Sequence, residues 1–74
     1  MALRSIQESM VRRYEYDDRT VIVADLGPDV EPTVEVLSGT AIVVVGDEEY
    51  DVDLPAGAVE AFNRNGIVTF EVRG

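Results

Sequence analysis

The sequence predicts an all-β domain, two antiparallel layers of short strands, with a single short helix ahead of them. Two observations predict the strands. From residue 14 onward apolar and polar residues alternate with a period of two. Turn residues then recur roughly every 8 to 12 positions, the rhythm of sandwich strands. A third observation sets the beginning apart. Leu3, Ile6, Met10 and Val11 fall close to helical spacing, with Arg4, Gln7, Glu8 and Arg12 on the other side. Residues 2–13 therefore read as a helix, and the chain divides into a helical segment, 1–13, and a sandwich domain, 14–74. A three-turn helix is marginal alone in water and has to dock.

Each strand has its own justification. Tyr14 and Tyr16 alternate with Glu15 and Asp17, and Asp17-Asp18-Arg19 makes a polar turn. "TVIVADL" (20–26) is a strand stopped by Gly27-Pro28. Pro32 precedes "TVEVL" (33–37), and Ser38-Gly39 turns the chain into "TAIVVVG" (40–46). Asp47-Glu48 is the next turn. "EYDVDLP" (49–55) returns with Tyr50, Val52 and Leu54 inward and Glu49, Asp51 and Asp53 toward water. "AVEAF" (58–62) is a short strand. "GIVTFEV" (66–72) closes the domain with Val68, Phe70 and Val72 on one face. The strands 20–26 and 40–46 are apolar on both faces, so their second face needs cover. The N-terminal helix and a second copy of the protein are the two candidates.

The structural corners are Leu54, Pro55, Asn65 and Gly66. Proline takes an N–H out of the ladder and ends a strand where the chain leaves its sheet. Asn65-Gly66 supplies residues that tolerate positive φ, which a sharp corner needs. The chain should leave one sheet at Pro55, cross through 58–62, turn at Gly66 and enter the last strand.

Composition narrows function. At 74 residues this is one domain, and a domain of this size buries only about 60% of the surface its unfolded chain exposes. Fifteen carboxylates face six cations, all of them arginine, for a net charge of −9. Such a surface repels a phosphate backbone, so no nucleic-acid partner is expected. The strong negative charge without lysine reads as adaptation to a salty cytoplasm, because salt near 1 M shortens the screening length to about 3 Å. No segment approaches the ~18 apolar residues of a membrane helix, and "MALRSIQESM" lacks a signal-peptide core. A cytoplasmic protein with no membrane partner is expected.

Histidine, cysteine and lysine are absent, which removes the usual bases and nucleophiles. No catalytic residue and no cofactor are expected, and the protein reads as a non-enzyme. Glu49, Asp51 and Asp53 lie along one solvent-facing edge, but no calcium-loop pattern surrounds them and no metal site is expected. Tyr14, Tyr16, Phe62 and Phe70 read as core or core-edge residues. An aromatic platform for single strands needs positive charge beside it.

The stretch from residue 14 to 72 also resembles the α-crystallin domain of the small heat-shock proteins. The residues that carry the likeness are Asp25-Leu26-Gly27-Pro28, Glu31 to Leu37, the strand end Leu54-Pro55, and Ala61-Phe62-Asn63-Arg64-Asn65-Gly66-Ile67-Val68. The resemblance implies an immunoglobulin-like antiparallel β-sandwich of α-crystallin type. It also implies ATP-independent holding of exposed apolar segments of unfolded or partner proteins. The family's groove would map onto Val34, Val36, Val59 and Ala61, with β-edge pairing supplying main-chain bonds. Departures are plain. Only Asp47-Glu48 stands where that family has a long loop, and neither its long N-terminal arm nor its C-terminal linking motif is visible. The expectation is a minimal holding chaperone or adaptor, with a homodimer allowed. The alternatives are a structural subunit of a hetero-complex and an acidic metal-binding regulator.

Overall fold

The computed structural model describes residues 3–5, by their strand pairing, and residues 10–74. The described residues form eight strands: β1 (Leu3–Ser5), β2 (Val11–Glu15), β3 (Thr20–Asp25), β4 (Thr33–Leu37), β5 (Thr40–Val45), β6 (Glu48–Asp53), β7 (Ala58–Arg64) and β8 (Ile67–Arg73). They form two four-stranded sheets, ordered β1-β6-β5-β4 and β2-β3-β8-β7. All pairings are antiparallel except β1 with β6, which is parallel.

The two sheets close over one core. Ile22 and Ala24 on β3 and Val68, Phe70 and Val72 on β8 meet Ala41 and Val43 on β5, Val52 on β6 and Leu54 just beyond it. Within each strand these are the alternate residues, so the period of two in the sequence becomes the division between inside and outside. Every buried residue of this core is apolar. Phe70, Val43 and Val68 are the largest side chains fully removed from water.

The expected N-terminal helix is not seen among the described residues. Residues 3–5 and 11–13 lie in β1 and β2, Met10 stands in a 3-10 turn just ahead of β2, and residues 2 and 6–9 of the expected helix fall outside the described residues. The physical reason is competition. A short helix here has little to bury, whereas β6 and β3 each offer an open ladder of backbone groups. β2 takes up the ladder of β3, from Val11 opposite Ala24 to Glu15 opposite Thr20.

The aromatics also depart from expectation. Phe70 is in the core, but Tyr14, Tyr16 and Phe62 are 47%, 53% and 52% exposed. Tyr16 sits at the β2–β3 turn, where its N–H donates to the Arg19 carbonyl at 2.8 Å and its ring lies under the Arg19 guanidinium. Smaller shifts occur at turns. The β5–β6 turn is Gly46-Asp47, with Glu48 already in β6, and β7 runs two residues past Phe62. No described element covers the outer faces of β3 and β5, where Val21, Val23, Ile42 and Val44 remain half-buried.

Candidate functional site

The chain changes sheets where Leu54-Pro55 was expected to send it: β6 belongs to the first sheet and β7 to the second. Leu54 is buried, and its N–H donates to the Gly39 carbonyl at 3.0 Å, fixing the end of β6 to the β4–β5 turn. Thr40 Oγ1 adds a bond to the Val52 carbonyl at 3.0 Å. Pro55 contributes no N–H to a ladder that has to end there. At Gly57 the backbone passes so close to the Arg73 carbonyl that a Cβ would overlap it.

This crossing lays β7 against β4 along one side of the molecule. Both are edge strands. Among the described residues β4 pairs only with β5, and β7 only with β8. Their outward edges therefore carry a row of backbone N–H and C=O groups without strand partners. The register fixes which side chains line the seam. Val34 and Val36 lie opposite the buried Val43 and Ala41, and Val59 and Ala61 opposite the buried Val72 and Phe70. All four thus stand on the inward side of their strands. They are not equivalent. Val34 and Val59 pack against the core, whereas Ala61 is exposed and Val36 keeps 41% of its surface in water.

The seam differs at its two ends. At the crossing end Val36, Leu37, Leu54, Pro55 and Val59 border an open cleft of about 580 Å³. At the other end Asn63 Nδ2 donates to the Pro32 carbonyl and ties β7 to the segment entering β4. Beyond that tie lies a more polar cleft of about 550 Å³ lined by residues 28–33 together with Asn63, Asn65 and Gly66. Asn63 is the residue that sequence reasoning missed. The run Asn63-Arg64-Asn65-Gly66 reads as one polar corner, whereas Asn63 still belongs to β7, opposite Val68 on the inward side, and an amide turned inward is itself a signal, since such a group needs a partner.

Asn65 and Gly66 form the two-residue loop of the β7–β8 hairpin, with φ of 53° and 76°. Two positive φ values in succession are what a type I′ turn demands. Gly66 is buried, its carbonyl accepts from Leu26 N–H at 2.9 Å, and a Cβ on it would overlap the Gly27 carbonyl.

The acidic residues Glu49, Asp51 and Asp53 stand on the outer face of β6, opposite Val44, Ile42 and Thr40 of β5. Among the described residues no three acidic groups come together in a way that would hold a metal ion. On β8 the Glu71 carboxylate accepts from Arg73, and that bond and its charge hold the guanidinium pKa above its ordinary value. A raised pKa keeps this contact fully formed below arginine's ordinary range, so it gives no pH dependence near neutrality. Among the described residues no helix is long and apolar enough to cross a membrane.

A family model, described as a family of unknown function (DUF7127), matches residues 2–72. The chain belongs to DUF7127. No curated protein and no solved structure matches it. Membership of DUF7127 overturns the likeness to the small heat-shock proteins. The letters that carried that likeness have local causes here. Leu54-Pro55 marks a sheet change, and the run from Ala61 to Val68 is two strands joined by an Asn-Gly turn. Any hairpin of this geometry calls for similar residues.

Proposed function

We propose that this DUF7127 protein is a non-enzymatic protein-binding module. It holds an extended apolar segment of an unfolded or partner protein along the β4/β7 seam, without ATP. The observation that carries the reading is the pair of adjoining strand edges with Val36 exposed at an open cleft that Leu37, Leu54, Pro55 and Val59 also border. An extended segment adding to such an edge gains main-chain hydrogen bonds, and alternate side chains reach the cleft. Charge narrows the ligand. Glu31 stands just ahead of β4 on a chain of net charge −9, so segments with arginine or lysine beside the apolar residues are favoured.

The test uses a fluorescent peptide of alternating valine and threonine with arginine at both ends, titrated by anisotropy in molar salt. The parent should bind it saturably, and Val36→Asp should weaken binding by roughly tenfold or more, because a charge would have to be buried beside the peptide. Val36 is exposed, so the variant should keep the parent's melting temperature. A parent that does not bind, or a V36D variant that binds as well, overturns the reading. Suppression of heat-induced client aggregation by stoichiometric protein would mark the partner as an unfolded chain. Its absence beside intact peptide binding would mark an adaptor.

A further inference from the structure

The outer face of the second sheet is the least expected surface of this molecule. Strand register places Tyr14, Val21, Val23, Thr69, Phe62 and Ile67 on it, side by side across all four strands. Tyr14, Phe62 and Ile67 are 47%, 52% and 40% exposed. A shallow depression of about 340 Å³ lies between Phe62, Ile67 and Thr69. A sandwich needs apolar residues on the inner face of each sheet, and a solvated outer face normally alternates to polar ones. Here the alternation fails in β3, where Val21 and Val23 face outward, and Tyr14, Phe62 and Ile67 stand on the neighbouring strands, so the apolar residues form a patch rather than scattered singles.

Charge says what covers it. The charged residues on this face are Arg12, Arg64 and Arg73 against Asp25, Glu60 and Glu71, three of each sign. The outer face of the first sheet carries Glu35, Glu49, Asp51 and Asp53, with no positive charge among its described side chains. The whole chain is −9, so two copies repel each other through most approaches. Of the two outer faces, the balanced one is the approach at which that repulsion is lower. A basic foreign protein would be drawn to the acidic face of the other sheet instead.

We infer that the outer face of the second sheet is a homodimer interface, covered by the same face of a second copy of this chain. This goes beyond the seam reading, since the seam lies on a different side and stays open in such a dimer. Four strands about 4.8 Å apart and six residues of about 3.3 Å each span a face of roughly 19 by 20 Å. That is roughly 380 Å² per copy, about half of the ~800 Å² per partner of a standard interface, so the dimer is a weak one that dissociates reversibly and fills only toward the upper end of the concentration range. Higher salt tightens it, because screening lowers repulsion between two acidic bodies while the contact itself is apolar and balanced.

Sedimentation equilibrium on the full chain tests this from low micromolar to near-millimolar concentration. The expected result is a concentration-dependent approach to twice the 8.1 kDa chain mass. The dissociation constant should fall several-fold between about 0.1 M and about 2 M salt. Phe62→Asp should leave a monomer throughout, while Val36→Asp at the seam should dimerise like the parent. Should F62D fold poorly, Thr69→Cys supplies an independent readout in a chain that has no cysteine of its own. A short bis-maleimide should join T69C copies and should not join Thr33→Cys copies, whose cysteine lies on the opposite sheet. A parent that stays monomeric, a dimeric F62D, dissociation by V36D, or equal cross-linking of T33C overturns the inference.

Discussion

At the scale of single residues, Gly66 is the position with the least freedom. Its φ of 76° lies in the left-handed region, and the space a Cβ would need is taken by the Gly27 carbonyl, with Val30 Cγ2 at 3.2 Å. A β-branched side chain meets both objections at once. The left-handed conformation alone costs about 1–3 kcal/mol for a non-glycine residue, and the overlap adds backbone displacement. Gly66→Val should therefore lose about 3 kcal/mol or more, and a domain this size loses roughly 4–8 °C of melting temperature per kcal/mol. Gly39 is the control. Its φ is 79°, but nothing lies within 4 Å of a Cβ there, so Gly39→Ala should lose only the conformational part, about 1 kcal/mol. Thermal melts followed by circular dichroism check both. Equal losses at the two sites would mean that the close approach to Gly27 does not constrain the fold.

At the scale of elements, stability should follow position in the sheet. β3, β8, β5 and β6 each have a strand on both sides, while β1, β2, β4 and β7 are edges. Native-state hydrogen exchange should show the slowest amides in the first group, with β2 opening early because most of its residues are exposed. Slowest exchange in β2 or β7 would contradict that order. The same distinction explains what the sequence disclosed. β4 and β5 were legible nearly to the residue because Pro32 and Ser38-Gly39 punctuate them, and β8 because Val68, Phe70 and Val72 alternate strictly. The sheet change at Leu54-Pro55 was legible from proline chemistry. β1 was not, since its parallel partner β6 lies most of the chain away and nothing local points to it. The seam residues were placed side by side by the order of strands, which a single sequence does not contain. The outward Phe62 was recoverable. A two-residue Asn-Gly loop pairs Arg64 with Ile67, and counting back puts Phe62 opposite Thr69, on the face away from Phe70.

At the scale of the whole molecule, the dominant long-range term is charge. The described ion pairs, Arg13–Glu15, Arg19–Asp18 and Arg73–Glu71, join residues one or two apart on the surface. Pairs of that kind are worth about 0–1 kcal/mol and hold no distant elements together. They leave the acidic outer face of the first sheet, with Glu35, Glu49, Asp51 and Asp53 at neighbouring positions, to repel itself. At about 0.1 M salt the screening length is about 10 Å, long enough for these groups to act on one another. Near 2 M it falls below about 3 Å. The melting temperature should therefore rise by several degrees between the two, measured dilute enough to keep the chain monomeric. Salt also strengthens apolar burial generally, so the rise alone does not identify its cause. The triple variant Glu49→Gln, Asp51→Asn, Asp53→Asn separates the two effects. Where repulsion on this face is the cause, the variant melts higher than the parent at low salt and the two converge at high salt. Parallel salt curves for parent and variant would assign the rise to apolar burial and take the acidic face out of the account.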